Sequence, residues 1–192
     1  MKKDIELFIK DSIAAKEIVL KEQVGNIESA AKAIIESFRA AKKLLVFGNG
    51  GSASDSQHIA AELVGRFKME RKALPAIALT ANTSILTAIA NDYGYDAVFS
   101  RQIEALGVQG DVALGISTSG NSKNVIEAMK KARSIGMKVI ALSGGNGGSM
   151  KKEADISIVV ATKDTPRVQE SHILIAHIIC ALVEDRMFSR KL

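Results

Sequence analysis

His58 and Glu62 stand four residues apart, a spacing that puts an imidazole and a carboxylate on one face of a helix about one turn from each other. Two metal ligands are spaced this way, as are a proton donor and its acceptor, and so is an ordinary surface pair. A second concentration of polar groups, Gln169, Glu170, His172 and His177, interrupts an otherwise apolar segment that runs on to Phe188. Glu170 and His177 are seven residues apart and share nearly one helix face. Gln169 and His177 are turned about 80° from each other on an ideal helix. Periodicity therefore favours Glu170 as the partner of His177, unless Gln169 lies in a first turn aimed at the same point. The alternative for His177 is a satisfied core histidine.

Two loops carry a different chemistry. Gly48-Asn49-Gly50-Gly51-Ser52-Ala53-Ser54 and Ser117-Thr118-Ser119-Gly120-Asn121-Ser122 each follow a short apolar run and open onto a helical stretch. Glycines let backbone N–H groups approach an anion, hydroxyls donate further bonds, and the helix N-terminus adds a favourable dipole. The second loop, with four hydroxyls in six residues, is the better phosphate cradle. Turn and N-cap preferences would explain the same residues without a ligand. Neither loop is a nucleotide fingerprint: the first lacks Gly-x-Gly-x-x-Gly, and no Gly-Lys-Ser/Thr occurs in the chain. A third run, Gly144-Gly145-Asn146-Gly147-Gly148, has fewer hydroxyls and reads as a turn.

The elements that must position these groups follow from the hydrophobic pattern. Apolar runs at 44–47, 76–79, 112–116, 139–142 and 156–160 alternate with helical stretches near 53–68, 83–90, 95–106, 122–135 and 167–188. Strands apolar throughout and separated by helices indicate an α/β fold with a parallel sheet covered on both faces, whose ligands bind beyond the carboxyl ends of the strands. Before the sheet, residues 1–41 form an N-terminal helical extension. Its apolar positions fall at helical spacing (Ile5, Leu7, Phe8, Ile13, then Ile27, Ala31, Ile34, Ile35 and Phe38), with Gly25-Asn26 as the break between two helices. This amphipathic pair needs a partner surface, either its own sheet or another subunit.

A length of 192 residues fits one domain with a real core. The formal charge of +5 comes from basic residues scattered among acidic ones, and 4% aromatic residues with no Trp offer little stacking surface, which argues against a nucleic-acid partner. A mildly positive chain suits an anionic metabolite. The single cysteine, Cys180, excludes an internal disulfide and fits a reducing compartment. Asp4 and Glu6 interrupt any apolar run near the start, and no later run approaches the length of a membrane span. A cytoplasmic protein with no membrane partner is expected.

Taken together, GNGGSASDSQHIAAEL, NDYGY, GISTSGNSKN and TPRVQESHILIAHIIC resemble the phosphoheptose isomerases of the sugar-isomerase (SIS) domain superfamily, over nearly the whole chain. STSGNS marks only the superfamily; His-x-x-x-Glu after GNGGS, combined with the Gln-x7-His of the last helix, is the specific part. The resemblance implies one SIS domain over residues 1–192, a three-layer sandwich on a five-stranded parallel sheet. It implies a homotetramer with active sites between subunits. By the same resemblance the sugar phosphate is held by Asn49, Gly50, Gly51, Ser52, Asn91 and Asp92, with its phosphate on Ser117, Thr118, Ser119 and Ser122. It further implies one Zn²⁺ per subunit on His58, Glu62, Gln169 and His177, which sets Gln169 in place of the Glu170 that periodicity favours. Glu62, which also contacts substrate as Gln169 does, is the implied base and His177 the implied acid. They would interconvert sedoheptulose 7-phosphate and D-glycero-D-manno-heptose 7-phosphate through an enediol, supplying heptose for surface glycans. Some members carry an Asp three residues before that Gln, where this chain has Pro166, with Asp164 nearby. The competing resemblance is to SIS proteins without catalysis, which bind the replication initiator or sense sugar phosphates; the joint presence of His58, Glu62, Gln169 and His177 favours the enzyme.

Overall fold

The computed structural model describes residues 1–189. Among them the elements run α1 (Lys2–Glu22), α2 (Val24–Arg39), β1 (Leu44–Gly48), α3 (Gly51–Val64), β2 (Ala76–Ala78), α4 (Thr83–Tyr93), a 3-10 turn (Tyr95–Ala97), α5 (Ser100–Leu106), β3 (Val112–Ser117), α6 (Lys123–Ile135), β4 (Lys138–Gly144), α7 (Met150–Glu153), β5 (Ile156–Val160) and α8 (Thr165–Phe188). The five strands form one all-parallel sheet in the order β2-β1-β3-β4-β5. Burial on both faces explains why the inner runs at 44–47, 112–116 and 139–142 are apolar throughout. Leu44 and Val46 of β1 enter the core shared with α2, α3 and α8, while Leu45 and Phe47 enter the core shared with α5 and α6.

The strand order reverses direction between β1 and β3, and register places Gly48 opposite Ile116. The two hydroxyl- and glycine-rich loops therefore emerge side by side at the switch point, where open α/β sheets bind ligands.

Several boundaries differ from the sequence reading. The two N-terminal helices part at Gln23 rather than at Gly25-Asn26. Gln23 works as a joint: its Oε1 accepts from Asn26 Nδ2 at 3.0 Å and from Val159 N at 3.3 Å, tying the bend to β5, and Gly25 is carried within α2. The first loop is shorter than expected because α3 already begins at Gly51, and Gly65 ends that helix early. The stretch at 95–106 is broken after its first turn.

His172 on α8 is completely buried, and neither ring nitrogen completes a hydrogen bond. Burial drives its pKa down to about 4, and the nearby Ser143 backbone opposes this only in part. The unfolded chain, with an ordinary histidine at 6.5, takes up a proton that the folded chain refuses. Stability from this group is thus intact above pH 6.5 and is lost as pH falls from there toward 4, on the order of 3 kcal/mol in all. In His172→Leu the urea midpoint should fall less steeply between pH 6.5 and 4.5 than in the parent chain. An unchanged slope would mean that His172 is not the group responsible.

Candidate active site

The first loop is built to bring α3 close to its neighbours. Gly50 sits at φ 56° as the N-cap of α3, and Gly51 has no room for a side chain, since a Cβ there would collide with the amide of Gln169. Asn49 exchanges two amide hydrogen bonds of 2.9 Å with Asn124 at the start of α6 and accepts a third from the Tyr95 hydroxyl at 3.2 Å. Ser52 is buried behind the loop, where its backbone N–H donates to Asn49 O at 3.0 Å.

At the second loop, the Ser117 hydroxyl lies 3.3 Å from that of Ser119 and 2.9 Å from that of Ser122. Ser122 is the N-cap of α6 yet makes no side-chain cap bond, which leaves its hydroxyl to this cluster. Thr118 and Ser119 line a cleft of about 580 Å³ whose far wall is Gly144, Gly145, Asn146, Thr162 and Lys163. The third glycine run is therefore more than a turn. A Cβ at Gly120 would strike the Gly147 carbonyl, and one at Gly148 would strike the Gly120 carbonyl, so the two loops touch backbone to backbone. Met150 N donates to Gly120 O and Ser149 N to Asn121 Oδ1, both at 3.0 Å, so that the third loop buttresses the second. The density of glycine was the available signal, and counting hydroxyls overlooked it.

His58 and Glu62 project from α3 toward α8, where His177 meets them. His58 Nε2 lies 3.0 Å from His177 Nε2 and 3.2 Å from Glu62 Oε1, and one donor atom from each of the three residues falls within 4.8 Å of the others. Two imidazole nitrogens and a carboxylate oxygen converging from two helices form a donor set that can hold a divalent metal. Two facing ring nitrogens at 3.0 Å are equally placed to share one proton or to donate both lone pairs to one cation.

Glu170, the partner that periodicity favours, lies elsewhere. It accepts from Ser12 Oγ at 2.6 Å and from Arg167 Nη2 at 2.5 Å, on the side of α8 that packs against α1. The Ser12 hydroxyl, and after it the Arg167 guanidinium, hold its carboxyl below the usual range despite partial burial. Gln169 instead reaches the first loop at Gly51. Pro166 occupies the first turn of α8 behind the N-cap Asp164, whose carboxylate makes no cap bond. Asn91 and Asp92 sit exposed on α4, bonded to each other at 2.8 Å, and α4 buries none of its residues.

Three neighbours escaped the sequence reading. Asp55, one turn before His58, is raised above the usual carboxyl range by burial, which the nearby His58 and His177 oppose, and its Oδ2 is buried without a hydrogen-bond partner. Phe67 stacks on His177 with ring centroids 5.6 Å apart and planes at 29°. Tyr95 reaches Asn49, as above. The spacing of Asp55 and His58, three apart on a helix, was the one legible hint among these.

The SIS domain family matches residues 7–144. The phosphoheptose isomerase of Clostridium acetobutylicum is 53% identical over 193 residues, covering 100% of this chain and 98% of its own. That of Geobacter sulfurreducens is 54% identical over 185 residues, covering 96% of this chain and 98% of its own. The solved structure of phosphoheptose isomerase GmhA from Neisseria gonorrhoeae superposes with a TM-score of 0.91 at 44% identity, over 96% of this chain and 98% of that one. With more than half the residues shared across nearly full-length relatives, and a solved relative of the same fold, the chain belongs to the phosphoheptose isomerase family of SIS-domain proteins.

Proposed function

We propose that the chain is an aldose–ketose isomerase that converts sedoheptulose 7-phosphate into D-glycero-D-manno-heptose 7-phosphate, one SIS domain over residues 1–192 acting in the cytoplasm to supply heptose for surface glycans. The observation that carries this reading is the meeting of His58, Glu62 and His177 from two helices, in a chain whose relatives are phosphoheptose isomerases. Its fit to Zn²⁺ rests on the donor set, with Gln169 supplying a fourth, neutral ligand from about two turns before His177 on α8. When bound, the ion polarises the oxygens on C1 and C2 of the sugar.

The chain's own groups would do the rest. The hydroxyls of Ser117, Thr118, Ser119 and Ser122 grip the phosphate at the non-reacting end, and the resulting binding energy orients C1 and C2. Asn49, Gly50, Gly51 and Ser52 line the sugar from the first loop, and Asn91, Asp92 and Gln169 bond its hydroxyls. Released from the ion, Glu62 would remove the proton from C1 and return it to C2, while His177, likewise released, would move the second proton between O1 and O2. Proton count is conserved: each of the two protons leaves one atom of the sugar and returns to its neighbour through an enediol.

A homotetramer with sites at subunit interfaces completes the reading. On α1, Ile5, Leu7, Phe8, Ile9, Ile13 and Leu20 are all more than half exposed, an apolar load that a solitary chain seldom shows. The exposed α4, with Asn91 and Asp92, likewise needs a second surface to face. No helix among the described residues is long and apolar enough to cross a membrane, and the basic residues form no site for nucleic acid in this reading.

Conversion of sedoheptulose 7-phosphate by the purified chain in D₂O tests the proposal: the aldoheptose phosphate should form, with deuterium entering C2 in those turnovers in which the proton held on Glu62 exchanges with solvent, and absence of conversion would overturn it. Ser119→Ala should weaken binding of the sugar phosphate by roughly 10- to 100-fold, the cost of one hydrogen bond to a charged group. Unchanged affinity would remove Ser119 from the cradle.

A further inference from the structure

The segment between α3 and β2 has no regular secondary structure, yet it is fixed by a buried ion pair. Arg71 and Glu184 are each only 2% exposed at the side chain and meet at 3.0 Å. The Glu184 carboxylate also accepts from the backbone N–H groups of Phe67, Lys68 and Met69 at 3.0, 2.6 and 2.8 Å. The Arg71 guanidinium donates to the carbonyls of Glu62 and Leu63, both at 2.7 Å, at the end of α3. Glu184 lies seven residues after His177, on the same face of α8. One clamp thus joins the turn of α3 that bears Glu62 to the face of α8 that bears His177.

The clamp also places Phe67. With its own N–H bonded to Glu184, the ring falls across the His177 imidazole, and the Lys68 ammonium lies 5.4 Å from the centroid of the same ring. Histidines that move protons or bind metals are generally oriented by a carboxylate or carbonyl on the second ring nitrogen. Among the described residues no group hydrogen-bonds to Nδ1 of His177; its Nε2 faces His58. The terminal torsion of a histidine is broad and close to two-fold, so in the metal-free protein, without such a bond, the plane of the ring is set by packing.

We infer that Phe67 is a positioning residue for His177: its ring, held by the Arg71–Glu184 clamp, fixes the imidazole plane and so the direction in which His177 transfers a proton. The consequence for catalysis rests on the isomerase reading above; the orientation itself does not. Phe67→Leu keeps an apolar side chain but removes the aromatic face, and Phe67→Tyr keeps the face.

Two measurements test this. In the metal-free protein, the NOEs between the ring protons of His177 and His58, whose ring centroids lie 5.1 Å apart, should be lost in Phe67→Leu and persist in Phe67→Tyr. In the metal-loaded enzyme, Phe67→Leu should lower kcat by roughly ten- to a hundredfold, the range for a misplaced reacting group, with KM little changed and the melting temperature near that of the parent, and Phe67→Tyr should restore kcat. Unchanged His177–His58 NOEs in Phe67→Leu would overturn the inference. So would an equal loss of kcat in the Leu and Tyr variants, which would mark Phe67 as packing only. A parent chain inactive on sedoheptulose 7-phosphate would refute the isomerase reading instead, and the His177–His58 NOEs would still decide whether Phe67 orients the imidazole.

Discussion

Glu62→Gln should lower isomerisation by about a thousandfold, within the 10²- to 10⁴-fold range that a positioned general base contributes. The substitution keeps the shape of the side chain and removes its capacity to accept a proton from carbon. It also replaces an anionic oxygen 3.2 Å from His58 Nε2 with a neutral one, so affinity for a divalent ion should drop as well. Sugar-phosphate binding should survive, because the hydroxyl cluster of the second loop belongs to β3 and the start of α6, away from α3. The backbone carbonyl of Glu62, which anchors Arg71, is unaffected by the change, so the fold around it should hold. Equilibrium binding and single-turnover rates measured on the same variant separate the two effects. Retained turnover would remove Glu62 from the role of base.

The largest effect on stability is expected at Glu184. Breaking a buried ion pair by removing one partner leaves the other charge without compensation, at a cost of about 3–5 kcal/mol. Glu184→Gln strands Arg71 in this way and turns a donor amide toward three backbone N–H groups that previously shared a carboxylate. The melting temperature should fall by roughly ten degrees for a chain of this size. The same group has a definite pH signature. Burial alone would raise its carboxyl, but the N–H groups of Lys68, Phe67 and Met69, together with Arg71, outweigh burial and hold it below the usual range. A depressed carboxyl contributes stability that is present above its ordinary value and lost as pH falls through the folded one. That loss begins near 4.5, at the lower end of the window assigned to His172, and continues below it, so the two variants should flatten largely different parts of one acid-unfolding curve. A Glu184→Gln chain as stable as the parent would show that the 65–75 segment is held by other means.

The sheet and half of the candidate site were legible because they depend on local pattern. Runs such as 44–47 and 112–116 are apolar at every residue since both faces of a parallel sheet are covered, and that signature survives without any tertiary information. His58 and Glu62 were equally readable, being one turn apart on one helix. What remained hidden depends on packing between distant segments. Helical spacing ranked Glu170 above Gln169 for His177, but α1 lies against the Glu170 face and takes that carboxylate through Ser12. Phe67 meets His177 across 110 positions of chain, inside a segment without periodicity, and only the Arg71–Glu184 pair makes the meeting possible. The glycine run at 144–148 serves sterically, letting the backbone of one loop lie against another, so its mark in the sequence is the density of glycine rather than any chemical group.

The pairing of His58 with His177 at 3.0 Å is where the proposed metal site, the proposed proton transfers and the family resemblance converge. The most direct test is turnover of sedoheptulose 7-phosphate by the purified chain, stripped of metal and then resupplied with Zn²⁺. Formation of the aldoheptose phosphate that stops on stripping and returns with the ion is the expected result; no turnover in either state, or turnover indifferent to the metal, would contradict it.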